Sequence, residues 1–250
     1  MTEVPQGSPL PEKSKNVFER IAGVLFAPAE TFQDIVRKPD IIGPLLIIII
    51  IGYISTALIM PKIDYESMMV QQAEQMSRRG QEMTEEQRAQ MERITMAGVK
   101  VFSWVLPLLM VAGYAIIAGV LLLAFRLMGG EGNFKQAFSI TLYSWMPMVL
   151  LGIITTIIVL ARGTFDPVTA ATLVKSNPAF LVDMKEQPIV FSLLSSFDLF
   201  TIWMLALLIV GFATMARVSK AKAAAIVISL WLAWILAKAG FAALGASRMK

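Results

Sequence analysis

Five long apolar segments dominate the pattern of hydrophobic and polar positions along the chain. Each is close to the length of about 20 residues that an α-helix needs to cross a bilayer, and Lys238 is the one charged residue inside them. Apolar runs of this length predict membrane-spanning helices, because lipid offers no hydrogen-bond partners to the edges of an open β-strand. The predicted spans are 41–60, 101–125, 137–161, 199–216 and 223–247.

Two shorter apolar patterns precede the first span. Apolar residues recur at helical spacing within 17–25 and again within 32–36, and Pro28 suits the first turn of the second helix. Both patterns are too short to cross a membrane, so we predict that segment 16–40 forms interfacial helices with their apolar sides toward the lipid. The alternative is a helix pair that contacts a soluble partner domain. Residues 1–15 are polar and are predicted to form a disordered tail.

The polar segment 61–100 separates the first two spans and is predicted to be a helical linker outside the membrane. Thr84 and Gln87 match the capping box that starts many helices, so a helix is expected to begin there and to continue into the second span. The sequence therefore predicts an all-α fold: a polytopic membrane protein with five transmembrane helices, preceded by interfacial helices. The transmembrane domain is expected to cover residues 41–250.

Prolines and glycines indicate where the spans bend and turn. Pro107 and Pro147 lie inside the second and third spans, where each removes a backbone hydrogen bond. A fixed kink within the bundle and a hinge beside a cavity are both compatible with this pattern. The glycine-rich segment 129–133 lacks the Gly-Lys-Ser/Thr sequence of a phosphate-binding loop, so we predict a sharp turn between two helices.

The composition agrees with a lipid environment. Apolar and aromatic residues make up 56% of the 250 residues, and charged residues make up 16%. Soluble domains contain about 45–50% apolar and about 25% charged residues. A water-soluble protein with this composition would expose large apolar patches and aggregate. The lipid bilayer is therefore the first predicted partner of the chain.

The residue types that the chain lacks exclude several kinds of chemistry. The sequence contains no cysteine and no histidine, which excludes disulfides, Cys/His zinc sites, thiol catalysis and Ser-His triads. We find no buried aspartate pair within two spans and no nucleophile beside a base, so we predict no enzymatic activity, no cofactor and no metal site. The net charge of +4 comes without a basic cluster interleaved with aromatic residues, and nucleic acid is not an expected partner.

The distribution of basic residues predicts the orientation in the membrane. A raw count of lysines and arginines beside the spans favours neither side. The densest basic point is the shortest loop, at Arg217, Lys220 and Lys222, where the positive-inside rule is most reliable. Acidic residues offset the basic ones in segment 64–92. We therefore predict a cytoplasmic N-terminus and a C-terminus outside.

Two charged residues lie at unusual positions, Asp198 at the start of the fourth span and Lys238 inside the fifth. Measured from the turn between these spans, their depths differ by only about 5 Å at a rise of about 1.5 Å per residue. A charge inside the membrane is costly and is usually paired or functional, so we predict an ion pair near the outer leaflet. In the alternative, Asp198 caps a helix while Lys238 extends to the membrane surface. A role in ion-coupled transport is a third interpretation.

Four short motifs, in the same order along the chain, resemble those of the Yip (Ypt-interacting protein) domain family. An Asp-x-x-Gly-Pro sequence starts the first span, segment 26–32 precedes it, segment 143–147 lies in the third span, and segment 198–203 begins the fourth. The similarity covers roughly residues 17–245. The family-motif positions are Asp40, Gly43, Pro44, Tyr143, Pro147, Trp203 and Gly211.

The resemblance implies a five-helix membrane domain with a cytoplasmic N-terminus. Eukaryotic members of the family act in vesicle traffic by binding prenylated Rab-type GTPases and one another. This chain has a short N-terminal tail and an unusually long outer linker, and prokaryotes lack that traffic system, so the GTPase role is not carried over. We expect a prokaryotic-type member in the cytoplasmic (inner) membrane.

Two functions stay open at the level of sequence. The first is a non-enzymatic membrane scaffold or organiser whose partners are further copies of itself or other membrane proteins. The second is a small ion-coupled transporter or permease, although an odd number of spans does not suit an inverted repeat. A solid apolar bundle would favour the scaffold, and an occluded polar cavity at mid-membrane would favour transport.

Overall fold

The computed structural model describes residues 15–66, 68–70, 84–165, 170–184 and 186–247. Throughout these ranges the regular structure is helical, and the one β-bridge, between Ile63 and Phe165, stands alone. The all-α fold class predicted from the sequence is therefore confirmed. Apart from Lys15, the predicted tail lies outside the described residues.

The described helices are numbered here in chain order. Short 3-10 turns follow α3 at Met60–Lys62 and α7 at Pro178–Leu181. The helices are α1 (Val17–Phe26), α2 (Pro28–Arg37), α3 (Ile42–Ile59), α4 (Glu85–Leu127), α5 (Phe134–Ser144), α6 (Met146–Arg162), α7 (Ala170–Leu173), α8 (Pro188–Leu194), α9 (Leu199–Ala216) and α10 (Lys220–Ser247).

Five helical stretches are long and apolar enough to cross a membrane, the number that the sequence predicts. Many large apolar side chains on them are exposed, including Ile50, Leu123 and Leu236. A surface of this kind is stable when lipid covers it and aggregates in water. The five stretches are Ile42–Lys62, Glu85–Leu127, Phe134–Arg162, Leu199–Ala216 and Lys220–Leu244.

The longest helix, α4, begins at the predicted capping box. Thr84 accepts a hydrogen bond from the backbone N–H of Gln87 at 3.3 Å, and the Gln87 side chain accepts one from the backbone N–H of Thr84 at 3.0 Å. The helix contains 43 residues, or about 65 Å at a rise of about 1.5 Å per residue. This length is about twice the thickness of a bilayer's hydrocarbon core, which measures about 30 Å.

The two prolines act differently on their helices. Pro147 lies in the first turn of α6, two residues after Trp145, where the helical stretch breaks into α5 and α6. Pro107 lies inside α4 without interrupting it and contacts the neighbouring helix at Gly52. A Cβ atom on Gly52 would lie 3.4 Å from the Pro107 side chain, so this glycine lets α3 and α4 approach closely.

Helix α9 lies at the centre of the bundle. Half of its apolar length is buried, against 11% for α3 and for α10. It contacts α2, α4, α5, α6 and α10. The rings of Phe125 on α4 and Phe212 on α9 stack with centroids 5.2 Å apart. The buried core therefore forms around α9, near the end of the bundle where α1 and α2 lie.

Helices α1 and α2 pack against that end of the bundle. Val24, Phe32 and Ile35 are fully buried against α5 and α9, whereas Phe18 and Phe26 are 76% and 85% exposed. The two predicted N-terminal helices are thus present, and part of their apolar surface contacts protein rather than lipid. Their interfacial position stays a prediction. We call this helix pair, Val17–Phe26 with Pro28–Arg37, the N-terminal platform.

Candidate functional site

Asp40 is the centre of a polar network between the platform and the bundle. It lies between α2 and α3, and its Oδ1 accepts a hydrogen bond from the backbone N–H of Gly43 at 3.2 Å. Its Oδ2 accepts one from the hydroxyl of the fully buried Tyr143 at 3.3 Å. Its backbone carbonyl accepts one from Ser139 Oγ at 2.8 Å. A single residue therefore ties the start of α3 to α5.

A buried ion pair fixes the two platform helices to each other. Arg20 on α1 is 3% exposed, and its Nε donates to Asp34 Oδ2 on α2 at 2.8 Å. Arg20 also lies close enough to Tyr143 to interact with its hydroxyl. Gln136 on α5 donates to the backbone carbonyl of Val36 at 3.0 Å. The platform is thus held by charged and polar contacts as well as by its apolar side chains.

Two glycines allow the platform to approach the bundle closely. A Cβ atom on Gly211 of α9 would overlap the side chain of Ile140 and would lie 3.1 Å from the Phe32 ring. A Cβ atom on Gly43 would overlap Val17 of α1. Any larger residue at either position requires its neighbours to shift, because interiors are close-packed.

Asp198, 5% exposed, lies at the opposite end of the bundle and caps α9. Its Oδ1 accepts hydrogen bonds from the backbone N–H groups of Phe200 at 2.8 Å and Thr201 at 3.4 Å. Its Oδ2 accepts from the Ser176 hydroxyl and from Asn177 Nδ2. The carboxylate therefore anchors the segment before α8 to the start of α9, as the capping alternative predicts.

Lys238 binds a different set of groups. Its Nζ donates to Ser195 Oγ at 2.9 Å and to Ser196 Oγ at 3.1 Å. Within the described part of the chain, no hydrogen bond or ion pair joins Lys238 to Asp198. The structure therefore places the two charges near the same segment, 195–198, but gives each its own hydroxyl or amide partners in place of the predicted direct pair.

A comparison with known protein families gave one result that covers most of the chain. The family model of the Yip1 domain matches residues 22–241. The chain belongs to the Yip1 domain family. No curated protein and no solved structure matched the chain. Family membership and the five candidate spans together fit an integral membrane protein.

The structure brings together only some of the motif positions that resemble the Yip1 domain family. Asp40, Gly43 and Tyr143 meet in the platform network, and Gly211 packs beside the same platform. The other three positions are accounted for by helix geometry and burial: Pro44 is buried in the first turn of α3, Pro147 is buried in the first turn of α6, and Trp203 is half-buried on α9.

The sequence interpretation missed the charged half of the Yip1-domain network, Arg20 and Asp34. Arg20 precedes the fully buried Val24 by four residues, so both project from the same face of α1. An arginine on an otherwise apolar helix face is rare when unpaired. This pattern could have indicated a buried ion pair, although it does not identify Asp34 as the partner.

The predicted sharp turn at 129–133 is confirmed and lies at the platform end. Gly129 and Gly132 have φ angles of 79° and 120°, which other residues rarely adopt. Basic side chains bind this turn: Arg126 donates to the Gly132 carbonyl at 2.8 Å and Lys222 to the Met128 carbonyl at 2.6 Å. The basic loop of the Yip1 domain thus stabilises its neighbouring turn.

Titratable groups in the described ranges do not form a metal-binding cluster. No group of three or more Asp, Glu, His or Cys side chains there is placed to hold a metal ion. The carboxylates of the platform end are engaged by Arg20, by Tyr143 and by the backbone. The arrangement is suited to fixing helices relative to one another.

Proposed function

We propose that this Yip1-domain protein is a non-enzymatic scaffold of a prokaryotic inner membrane. In this proposal all five candidate spans cross the bilayer, the N-terminus is cytoplasmic, and the partners are lipid, further copies of the chain or other membrane proteins. The observation that carries it is the attachment of the platform: the Arg20–Asp34 ion pair joins its two helices, and buried Phe32 together with the hydrogen bond from Gln136 to the Val36 carbonyl holds the pair on the bundle.

The rigid platform gives the scaffold a way to organise the bilayer. Phe18 and Phe26 are the two large side chains of α1 that protein leaves most exposed. Exposed apolar side chains on a short amphipathic helix insert at the boundary between headgroups and acyl chains. Because the platform is fixed to the spans, this insertion widens the protein in one leaflet. A protein that is wider in one leaflet prefers a curved bilayer.

The experiment measures this preference directly. Labelled full-length protein is reconstituted into giant vesicles, a narrow membrane tube is pulled, and the protein density on the tube is compared with that on the vesicle. We expect enrichment on the tube, and we expect the Phe18→Ser, Phe26→Ser double variant to lose most of it. Phe241→Ser is the matched control, since Phe241 is as exposed but lies on α10, far along the chain from the platform. Equal density of the wild type on tube and vesicle would reject the proposal.

No observation favours the alternative of a small ion-coupled transporter. Asp198 and Lys238, the residues first considered for transport, are both held by neighbouring side chains or backbone groups. Two cavities beside α3 and α4 are lined mostly by apolar residues. A proton or sodium flux in the same vesicles, lost in Lys238→Met, would decide for transport.

A further inference from the structure

Five basic residues at the platform end come from the ends of four helices. Arg126 lies in the last turn of α4, and Arg217 directly follows α9. Lys135 lies in the first turn of α5, and Lys220 and Lys222 lie in the first turn of α10. All four helices belong to candidate spans. We call these five residues the basic end patch.

Contacts between the turn after α4 and the loop after α9 hold this patch together. The backbone N–H of Glu131 donates to the carbonyl of Ala216 at 3.3 Å, and its carboxylate pairs with Arg217 at 3.2 Å. Lys222 reaches across to the turn and donates to the carbonyl of Met128 at 2.6 Å. The patch is therefore assembled from parts of the chain that contact one another.

The patch accounts for the net positive charge of the whole chain. Segments 126–135 and 216–222 contain five basic residues and one acidic residue, Glu131, and thus a net charge of +4. The complete sequence also has a net charge of +4, so the remaining residues are neutral in sum. Like charges gathered on one surface repel one another. Such a surface favours an anionic partner.

Three lysines of the patch occupy positions where a helix ordinarily disfavours a cation. The first turn of a helix carries a partial positive charge and favours acidic residues, yet the first turns of α5 and α10 contain none. Lys135, Lys220 and Lys222 lie there instead. A bound anion would interact favourably with these lysines and with the starts of both helices. A local preference that the sequence opposes is typical of a functional surface.

The position of the patch along the spans indicates which anion it meets. Helix α9 has 18 residues, about 27 Å at a rise of about 1.5 Å per residue, which is close to a hydrocarbon core of about 30 Å. Since Arg217 directly follows α9, the patch lies at headgroup depth when this helix crosses the bilayer. Leu127, Met128 and Phe134 beside the patch are exposed apolar side chains, which suit the adjoining acyl chains.

We propose that the basic end patch binds the phosphate headgroups of anionic glycerophospholipids. Its ammonium and guanidinium groups donate charge-assisted hydrogen bonds to the phosphate oxygens. Clusters of lysine and arginine beside membrane spans recognise anionic lipids in this way. This inference rests on the proposed function for its bilayer-spanning arrangement, and it names the class of lipid that the scaffold gathers around itself.

The test uses the purified full-length protein and two lipids with the same acyl chains, phosphatidylglycerol and phosphatidylcholine. Each is titrated into detergent micelles, and binding is followed by native mass spectrometry. We expect tighter binding of phosphatidylglycerol, and we expect Lys135→Gln combined with Lys220→Gln to lower this preference about fivefold or more. Both side chains are exposed, so the variant should fold. Micelles involve no membrane tube, so failure here is distinct from failure of the curvature experiment.

The matched control removes the same charge from the opposite end of the bundle. Lys100 precedes the apolar part of α4 and Arg162 ends α6, and both are exposed. Lys100→Gln combined with Arg162→Gln should leave the lipid preference of the wild type unchanged.

A third variant should change binding in the opposite direction. Glu131→Gln removes the one acidic residue of segments 126–135 and 216–222, so it should strengthen phosphatidylglycerol binding by up to about fivefold. A gain of binding does not result from misfolding.

Four outcomes would overturn the proposal. The first is equal binding of the two lipids to the wild type, which would leave the patch to an acidic protein or to membrane orientation alone. The second is an equal loss of preference in the patch variant and in the control. The third is a Glu131→Gln variant that binds phosphatidylglycerol no better than the wild type. The fourth is displacement of the lipid by millimolar glycerol phosphate but not by sodium chloride of the same ionic strength, which would assign the patch to a free anion.

Discussion

At the residue scale, we expect removal of the Arg20 side chain to lower the free energy of unfolding most. Arg20→Ala leaves Asp34, 17% exposed, without its cation, and breaking a buried ion pair costs about 3–5 kcal/mol. Because the Asp34 side chain is partly exposed and its carboxylate can still be solvated, we expect a loss of unfolding free energy near the low end of this range, about 3 kcal/mol. The measurement is the free energy of unfolding in mixed micelles containing increasing amounts of sodium dodecyl sulfate.

The control for Arg20 is an exposed lysine–carboxylate pair at the same end of the bundle. Lys15 and Glu30 pair at 2.7 Å, but Glu30 is 73% exposed, and exposed pairs contribute less than about 1 kcal/mol. Lys15→Ala should therefore change the free energy of unfolding by less than that amount. Equal losses in the two variants would contradict a structural role for the buried pair.

The two charges at the opposite end lead to a different prediction. Asp198 caps α9 and Lys238 binds two serines, so Asp198→Asn and Lys238→Met should destabilise the protein through separate contacts. Residues without shared partners have nearly additive effects, within about 0.5 kcal/mol. A double-mutant cycle of unfolding free energies measures this directly. A coupling above about 1 kcal/mol would restore the direct ion pair predicted from the sequence.

What the sequence reveals of the site depends on the residue. Asp40, Gly43 and Tyr143 could be singled out because short family-like motifs contain them, and their meeting in one network required the fold. Arg20 was overlooked because an arginine in a short amphipathic helix ordinarily projects into solvent. The alternative in which Asp198 caps a helix was predictable from local sequence, since an aspartate before an apolar run is a common N-cap.

At the element scale, close helix contact at Gly211 should be sensitive to a single methyl group. Gly211→Ala would force the new Cβ atom into Ile140 and against Phe32, and overfilling a close-packed interior costs about 1–3 kcal/mol. Gly152→Ala is the matched control, since a Cβ atom on Gly152 meets nothing within 4 Å. The unfolding free energy should fall for the first variant and stay unchanged or rise for the second. A reversed order would show that α9 does not depend on this contact.

Helix positions were largely predictable, whereas helix neighbours were not. Apolar length predicted all five candidate spans, and the Thr84 capping box predicted the start of α4. Pro147 indicated a bend in the third span, and the structure shows a break at Trp145. The contact of Phe32 and Ile35 with the bundle could not be predicted, because an apolar helix face has the same sequence pattern whether lipid or protein covers it.

At the scale of the whole molecule, the same ambiguity limits what composition can say. Low charge content predicts that lipid covers much of the surface, and the exposed apolar side chains of α3, α4 and α10 agree with it. Composition does not indicate that α9 is the central helix, since its residues are as apolar as those of α3. Helix α9 is central because small residues such as Gly211 and Ala213 let other helices approach it closely. Those helices come from distant parts of the sequence.

The orientation of the molecule is a prediction that the chain itself makes easy to test. It contains no cysteine, so one introduced cysteine is the only thiol available to a membrane-impermeant maleimide. Arg93 and Lys135 are both exposed basic residues; Arg93 lies in the polar first half of α4, and the apolar second half of α4 separates it from Lys135 in the chain. If the N-terminus is cytoplasmic, Arg93→Cys should be labelled in intact cells, and Lys135→Cys only after the membrane is permeabilised. The reverse result would invert the orientation, and labelling of both in intact cells would mean that α4 does not cross the membrane.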